Sequence, residues 1–445
     1  MSVVLGGCSV YRTYKRPDVA VIDSLYRQQI SPADSVASIA DLSWKELFTD
    51  PHLQKLIETG LCNNSDLGIA RLRAEEAEAL LQSARLSYLP SISLSPQGTI
   101  GKVEHSKTTK SYDLATSASW EIDIFGKLTN TKREARVVLE QSEAYRQAVQ
   151  TQLIATIANS YYTLLMLDEQ LNISRRTARN WSENLRVMKA LKNAGQTTDM
   201  AVAQTEASKL SVDASLLSLE RQITELENTL LSLLGSVPGD ITRSTLSSQS
   251  FPDTLLVGVP LQLLQRRPDV RQSEAVLAAA FYVTNQARAT FFPSITLSGS
   301  AGWTNAAGVV ITNPGQWLFS VVGSLIQPLF NRGQNIANLK IAKAQQEEAL
   351  LTFRQSLLDA GTEVNDALVQ WQKAQGRLAL SKQQVTSLQS AVRSSELLMR
   401  HSSQNYLEVL TARQTLLQAE LSVASNRFDE IQGVINLYHA LGGGY

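Results

Sequence analysis

The sequence predicts a mainly α-helical, internally duplicated chain in which long helical hairpins are joined to four β-strands of the membrane-barrel kind. Three observations predict it. The stretch Tyr88-Leu89-Pro90-Ser91-Ile92-Ser93-Leu94-Ser95 returns as Phe291-Phe292-Pro293-Ser294-Ile295-Thr296-Leu297-Ser298. Each copy follows a helical run and opens an alternation of apolar and small polar residues, so each proline marks a joint where period 3.6 gives way to period 2. Long helical runs at 128–192 and 336–400 follow, the first without Pro or Gly.

The duplication is ordered. Pro90 recurs as Pro293 at an offset of 203, Phe125 as Phe330 at 205, and Leu234-Gly235 as Leu441-Gly442 at 207. Three echoes in one order with nearly one offset indicate a repeated unit rather than chance tetrapeptides. Four stretches follow: an N-terminal segment 1–52, a first repeat 53–240, a linker 241–262 and a second repeat 263–445. The repeats read as interleaved halves of one body that need not fold separately.

Bulk properties exclude several classes. The 445 residues carry 41 Lys+Arg against 41 Asp+Glu, and no basic stripe interleaved with aromatics stands out, which argues against nucleic acid as a partner. Two cysteines, Cys8 and Cys62, are too few for a disulfide scaffold, and Cys62 reads as a small packed residue. His52, His105, His401 and His439 share no ligand spacing, and no phosphate-cradling glycine loop or nucleophile elbow occurs. No metal, cofactor or catalytic residue is therefore expected. No apolar run reaches the roughly 18 residues of a transmembrane helix, so a membrane span would have to be made of strands.

Leu5-Gly6-Gly7-Cys8 resembles a bacterial lipobox, with Cys8 as the lipidated residue. Seven residues precede it, fewer than a signal peptide needs, so either the leader lies upstream of Met1 or the match is accidental. Residues 10–43 read as an extended segment running along the molecule, and Asp41-Leu42-Ser43-Trp44 opens a short helix. Apolar positions at spacings of three and four predict one long surface helix over 53–86, its buried stripe including Leu53, Ile57, Leu67, Leu72 and Leu80.

After Pro90 the pattern predicts a strand, a polar tip over 101–111 and a return strand. In that return strand Leu114, Thr116, Ala118, Trp120, Ile122 and Ile124 alternate with Asp113, Ala115, Ser117, Ser119, Glu121 and Asp123. A half-buried soluble sheet alternates in the same way; length and small residues on the polar side favour a barrel wall. In the second copy the strands are expected over 294–303 and 317–330, with Trp303 and Trp317 suited to a membrane interface.

The run 128–192 amounts to a helix on the order of 95 Å, which demands lateral packing against other long helices. Gly195 ends it, and Thr198 or Asp199 caps the next helix, making a hairpin. His401-Ser402-Ser403-Gln404-Asn405 breaks the second run at the matching place.

Four strands cannot close a membrane barrel, and open strand edges are not tolerated in lipid. Two chains would supply eight strands and three chains twelve. Strand arithmetic leaves both open; a solute conduit favours three, because an eight-stranded interior is filled by side chains.

Several quoted pieces carry a resemblance over nearly the whole chain: Leu5-Gly6-Gly7-Cys8, Trp44-Lys45-Glu46-Leu47-Phe48-Thr49-Asp50-Pro51, Leu264-Gln265-Arg266-Arg267-Pro268-Asp269, Ala289-Thr290-Phe291-Phe292-Pro293-Ser294-Ile295 and Tyr406-Leu407-Glu408-Val409-Leu410-Thr411-Ala412-Arg413. In that order they are similar to outer membrane factors of the TolC type, on the lipoprotein branch of the tripartite efflux channels. The resemblance implies a homotrimer with a twelve-stranded barrel in outer membrane lipid and a helical tunnel in the periplasm. An adaptor protein would join it to an inner membrane transporter.

It further implies passive conduction rather than catalysis, and a periplasmic gate at Glu408, with Thr411 where the family often has a second acid. The hairpin tips, Gly195, Thr198 and Asp199 with Ser402, Gln404 and Asn405, are the implied adaptor-docking surface; Ser402 stands where the family commonly has glycine. The plain alternatives are a solvated glutamate at a helix start and ordinary turn chemistry. Drug export, metal ion efflux and protein secretion by a type I system all use such a duct. A soluble coiled-coil scaffold with an ordinary sheet is the competing class.

Overall fold

A computed structural model describes residues 13–17, 39, 42–251, 266–308, 316–401 and 406–444. The described helices are α1 (Trp44–Leu47), α2 (Pro51–Asn63), α3 (Ser65–Leu86), α4 (Lys127–Asn193), α5 (Asp199–Leu233), α6 (Pro268–Ala289), α7 (Gln334–His401) and α8 (Tyr406–Ala440). The strands are β1 (Ser91–Gly101), β2 (Thr109–Ile122), β3 (Ser294–Gly308) and β4 (Gln316–Ile326). The chain divides into two compact units, and each draws on both copies of the repeat.

Element boundaries show where the copies diverge. α3 and α6 start and end 203 residues apart, as do the starts of β1 and β3. By the starts of β2 and β4 the offset is 207, and it stays there for the starts of α4 and α7 and of α5 and α8. The drift therefore falls between the start of the first strand and the start of the second in each copy, so Phe125 and Phe330, 205 apart, are not equivalent positions as the sequence echo suggests.

The first unit comprises Met1–Val19, Arg71–Tyr145 and Arg271–Ser356. Its four strands form one antiparallel sheet in the order β1-β2-β3-β4. The strands reach further into the first tip than the sequence suggests, since Gly101 pairs Thr109 and only 102–108 remain outside. β4 stops at Ile326, short of the expected 330, where Gln327-Pro328 follows and proline has no N–H for the ladder. Pro96 lies within β1, which within the chain pairs on one side only, opposite Leu114 of β2.

The register sorts the two faces. Ile92 lies opposite Ala118, Trp120 opposite Leu297, Leu114 opposite Trp303, and Trp303 opposite Trp317 with ring centroids 4.7 Å apart. On the other face Ser93 lies opposite Ser117, Gln97 opposite Asp113, Glu121 opposite Thr296 and Ser300 opposite Ser320. Among the described residues no layer covers the apolar face: Ile92, Leu94, Trp317, Phe319, Val321 and Leu325 are all exposed.

Both long helices begin on a glycine with positive φ, Gly126 at 72° and Gly333 at 76°. In the first copy Asp123 caps α4, its carboxylate accepting from Leu128 N at 3.0 Å and Thr129 N at 2.7 Å. Asn130 and Asn285, both buried, hydrogen bond at 3.4 Å, and the Thr284 hydroxyl reaches the Ala342 carbonyl at 3.1 Å.

The second unit comprises Ala20–Ala70, Arg146–Val270 and Leu357–Tyr445. Its core gathers Phe48, Leu53, Ile57, Leu67, Ile154, Ile157, Tyr161, Tyr162 and Leu165 with Val434, Ile435 and Tyr438. α1 is held by a capping box, Ser43 accepting from Glu46 N while Glu46 accepts from Ser43 N. Buried Asp50 caps α2 through His52 N and accepts from Tyr161 and Gln249 at 2.7 and 2.9 Å, which fastens the start of the linker to the core. Arg243 in the same linker pairs with Asp168 and Glu227.

The single helix expected over 53–86 is two. Asn64 interrupts it because its side chain supplies both ends of a corner: Oδ1 accepts from Leu67 N at 2.9 Å, capping α3, and Nδ2 donates to the Leu233 carbonyl at 2.9 Å. The buried stripe on α3 is Leu67, Ala70, Ala77, Leu81 and Ala84, while Leu72 and Leu80 face outward. Cys62 is exposed, not packed: Ile57 and Gly60 turn to the core, and a residue two beyond Gly60 lies on the far side of the helix.

Candidate functional site at the hairpin tips

α4 ends in a Schellman motif. Gly195, at φ 71°, donates to the Lys192 carbonyl and Gln196 to that of Leu191, both at 2.9 Å. The next helix is capped by Thr198, whose hydroxyl accepts from Ala201 N at 3.3 Å; Asp199 is the first helical residue and pairs with Lys192. Gly195, Thr198 and Asp199 are all exposed. Ser402, Gln404 and Asn405 lie outside the described residues, as does Cys8.

The second tip resumes at Tyr406, the first residue of α8. Its ring is buried, and its hydroxyl hydrogen bonds Thr205 Oγ1 on α5. Because Thr205 already donates to the Ala201 carbonyl at 2.8 Å, Tyr406 is the donor of the pair. Burial pushes the Tyr406 phenol up, so it remains protonated and able to donate. Val409 and Leu410 turn inward as well, which leaves Leu407, Glu408 and Thr411 on the exposed side of the first turns.

Glu408 and Thr411, three residues apart, thus share one helix face. Among the described residues Glu408 has no hydrogen-bonding or ionic partner. The Thr411 hydroxyl donates back to the Leu407 carbonyl at 2.9 Å, which leaves it only lone pairs to offer outward. Arg413, further along α8, is engaged by Glu396 at 2.7 Å. Between the tips runs an open groove of about 790 Å³ lined by Asn184, Met188, Gln196, Met399, Tyr406 and Arg413, among others. Ala178, Trp181, Leu185, Met188, Ala201, Val202 and Leu410 pack beneath it as an apolar cluster separate from the main core. The first tip is therefore a polar surface over an apolar base.

Among the described residues no group of three or more His, Cys, Asp or Glu is arranged to hold a metal ion.

One position carrying structural weight has no role in the sequence reading. Arg267, buried at the start of α6, donates to the Ala440 carbonyl at 2.6 Å and pairs with Asp269 at 2.8 Å and Glu363 at 2.6 Å. His439 Nδ1 lies 3.3 Å from the other oxygen of Glu363. Burial pushes the Glu363 carboxyl up, but the His439 contact and the Arg267 charge outweigh it and hold the group at about 2. The offset of 203 that aligns Pro90 with Pro293 also aligns Asn64 with Arg267, and that was the available signal.

Comparison with known proteins agrees with this architecture. The probable outer membrane lipoprotein SilC of Salmonella typhimurium is 31% identical over 99% of this chain and 97% of its own length. The toluene efflux pump outer membrane protein TtgC of Pseudomonas putida is 28% identical over 99% and 94%. The open-state structure of the MtrE outer membrane channel of Neisseria gonorrhoeae superposes with a TM-score of 0.89 at 28% identity, covering 98% of each chain. The family described as outer membrane efflux protein matches residues 56–236 and 259–443, and the chain belongs to that family.

Proposed function

We propose that this outer membrane efflux protein is the passive duct of a tripartite system, built as a homotrimer and exporting small toxic molecules without catalysing any reaction. The four-stranded sheet carries the reading. Among the described residues it has one uncovered apolar face, one face that is hydroxyls, carboxylates and small residues on β1 to β3 but includes Leu318, Val322 and Ile326 on β4, and free edges at β1 and β4. Such a sheet is stable in lipid only when its edges pair, and twelve strands from three copies close it around a lumen, whereas eight would fill their own interior.

The tips are the natural docking surface for a periplasmic adaptor leading to an inner membrane transporter: Gly195, Thr198 and Asp199 on the first, Ser402, Gln404 and Asn405 on the second. Threefold symmetry would bring three Glu408 carboxylates around one axis with Thr411 one turn behind, a ring that attracts cations and whose mutual repulsion favours opening. Cys8 would anchor each chain by lipid. Segment 1–52, repeats 53–240 and 263–445, and linker 241–262 are the corresponding functional divisions.

TtgC, named for toluene efflux, supports an organic cargo. CusC of Escherichia coli, 28% identical over the whole chain and named for cation efflux, keeps a metal ion as the alternative cargo.

Planar-bilayer conductance of the purified protein, with its subunit count, tests the proposal. Discrete openings from trimers are expected, and Glu408→Ala should lower cation selectivity or change unitary conductance. Trimers that conduct identically without the carboxylate would remove the gate assignment, and a protein that never inserts would remove the duct.

A further inference from the structure

An open cavity of about 530 Å³ lies within the first unit between α4 and α6. Its lining carries both signs of charge: Arg133, Arg136 and Arg271 with Glu140 and Glu274. Tyr14, from the extended residues 13–17, closes one side, its ring edge-on to Phe281 at 5.8 Å. Arg16 pairs with Glu274 beside it. Arg136 stands 3.5 Å from Glu140, and among the described residues Arg133 has no partner.

The Tyr14 hydroxyl is buried and likewise has no hydrogen-bond partner among the described residues. A buried hydroxyl left without a partner is destabilising, so the site is incomplete without an acceptor. Burial also pushes the phenol up to about 12, which keeps it a donor at any ordinary pH.

The cavity's place in the unit narrows the acceptor. Arg133 and Arg136 are six and nine residues from the start of α4, about 9 and 14 Å along its axis, and helical side chains lean toward the N-terminus, here toward the sheet. The same end of the sheet carries Trp120, donating to the Tyr88 carbonyl at 2.9 Å, and the stacked pair Phe125 and Phe292. Aromatics of this kind sit at the lipid headgroup level.

We propose that this cavity holds the zwitterionic headgroup of a membrane phospholipid, its phosphate against Arg133, Arg136 and the Tyr14 hydroxyl, and its ammonium against Glu140. Glu274 is already paired with Arg16, so a simple anion drawn to Arg133 and Arg136 would leave Glu140 without its partner, whereas a phosphate-ammonium pair satisfies both signs. The inference rests on the outer-membrane placement of the sheet, and it concerns a lipid held from the periplasmic side rather than anything passing through the lumen.

Native mass spectrometry of the full-length protein with phosphatidylethanolamine and phosphatidylglycerol of matched chains tests it, with inorganic phosphate and glycerophosphoethanolamine as soluble competitors. Preferential retention of phosphatidylethanolamine is expected, competed by glycerophosphoethanolamine. Arg133→Gln/Arg136→Gln should weaken retention by about tenfold or more, and Tyr14→Phe, which keeps the ring packing, by about three- to tenfold. Glu140→Gln should erase the preference over phosphatidylglycerol. Retention unchanged in the arginine and Tyr14 variants, with thermal midpoints showing them folded, would overturn the site; competition by inorganic phosphate alone would replace the lipid by a free anion. Single-channel conductance of the same preparations reads the duct separately, so the two proposals fail independently.

Discussion

At the first corner of the repeat Asn64 caps α3 and donates to the Leu233 carbonyl at the end of α5; 203 residues later Arg267 stands at the same place and donates to the Ala440 carbonyl at the end of α8. Leu233 and Ala440 are themselves 207 apart, so one backbone contact is made twice by different chemistry. The first copy uses a neutral amide. The second uses a buried guanidinium, which obliges it to supply Asp269, Glu363 and His439 as well. A duplicated fold thus conserves the carbonyl that must be satisfied and leaves the donor free to vary, but a charged donor brings its counter-charges and a pH dependence with it.

The comparison breaks most visibly on removing each donor. Arg267→Ala should cost about 3 kcal/mol, at the low end for a broken buried pair because its carboxylate partners reach water. Asn64→Ala should cost about 1–2 kcal/mol, the sum of a lost cap and a carbonyl left without its donor. Denaturant midpoints of the two variants check the order, and an Asn64 variant as damaged as the Arg267 one would refute the distinction.

Acid sharpens it next. The Glu363 carboxyl, held at about 2 when folded against an ordinary 4.5, binds protons more readily in the unfolded chain. Its contribution is therefore complete above about pH 4.5 and is lost as pH falls toward 2. Glu363→Gln should flatten the thermal midpoint across that window relative to the wild type. Substituting Asn64 should leave the slope unchanged, since the contact it makes to the Leu233 carbonyl involves no ionisable group.

The smallest expected difference lies at the helix-ending glycines. Gly235 and Gly442 both close Schellman motifs at φ 64° and 81°. A β-carbon at Gly235 would meet the Asn63 carbonyl oxygen at 3.0 Å, whereas at Gly442 it would meet Arg267 atoms no nearer than 3.3 Å. Gly235→Ala should cost about 2 kcal/mol and Gly442→Ala about 1, as read by thermal midpoint.

The repeat, the lengths of the two long helices, the strand faces and the tip glycine were legible because each is a local pattern or an echo at nearly fixed offset. The break at Asn64 was hidden because apolar spacing runs through it unchanged, Ile57 and Gly60 below and Leu67 and Ala70 above all turning inward. Arg267 could be quoted from sequence but not understood, since two of its partners lie 96 and 173 positions away. At the tips, the burial of Tyr406 that turns Glu408 and Thr411 outward depends on Thr205 in the other copy of the repeat.

The pairing of β2 with β3 also sets an order of events. Ile122 meets Ile295 across the whole of the first hairpin and the linker, while β1 with β2 and β3 with β4 join neighbours in sequence. Closing so long a loop is slow unless the intervening chain has already condensed, whereas helices propagate from local contacts. The two hairpins are therefore expected to form early, alongside the helices, and the seam between β2 and β3 to close last.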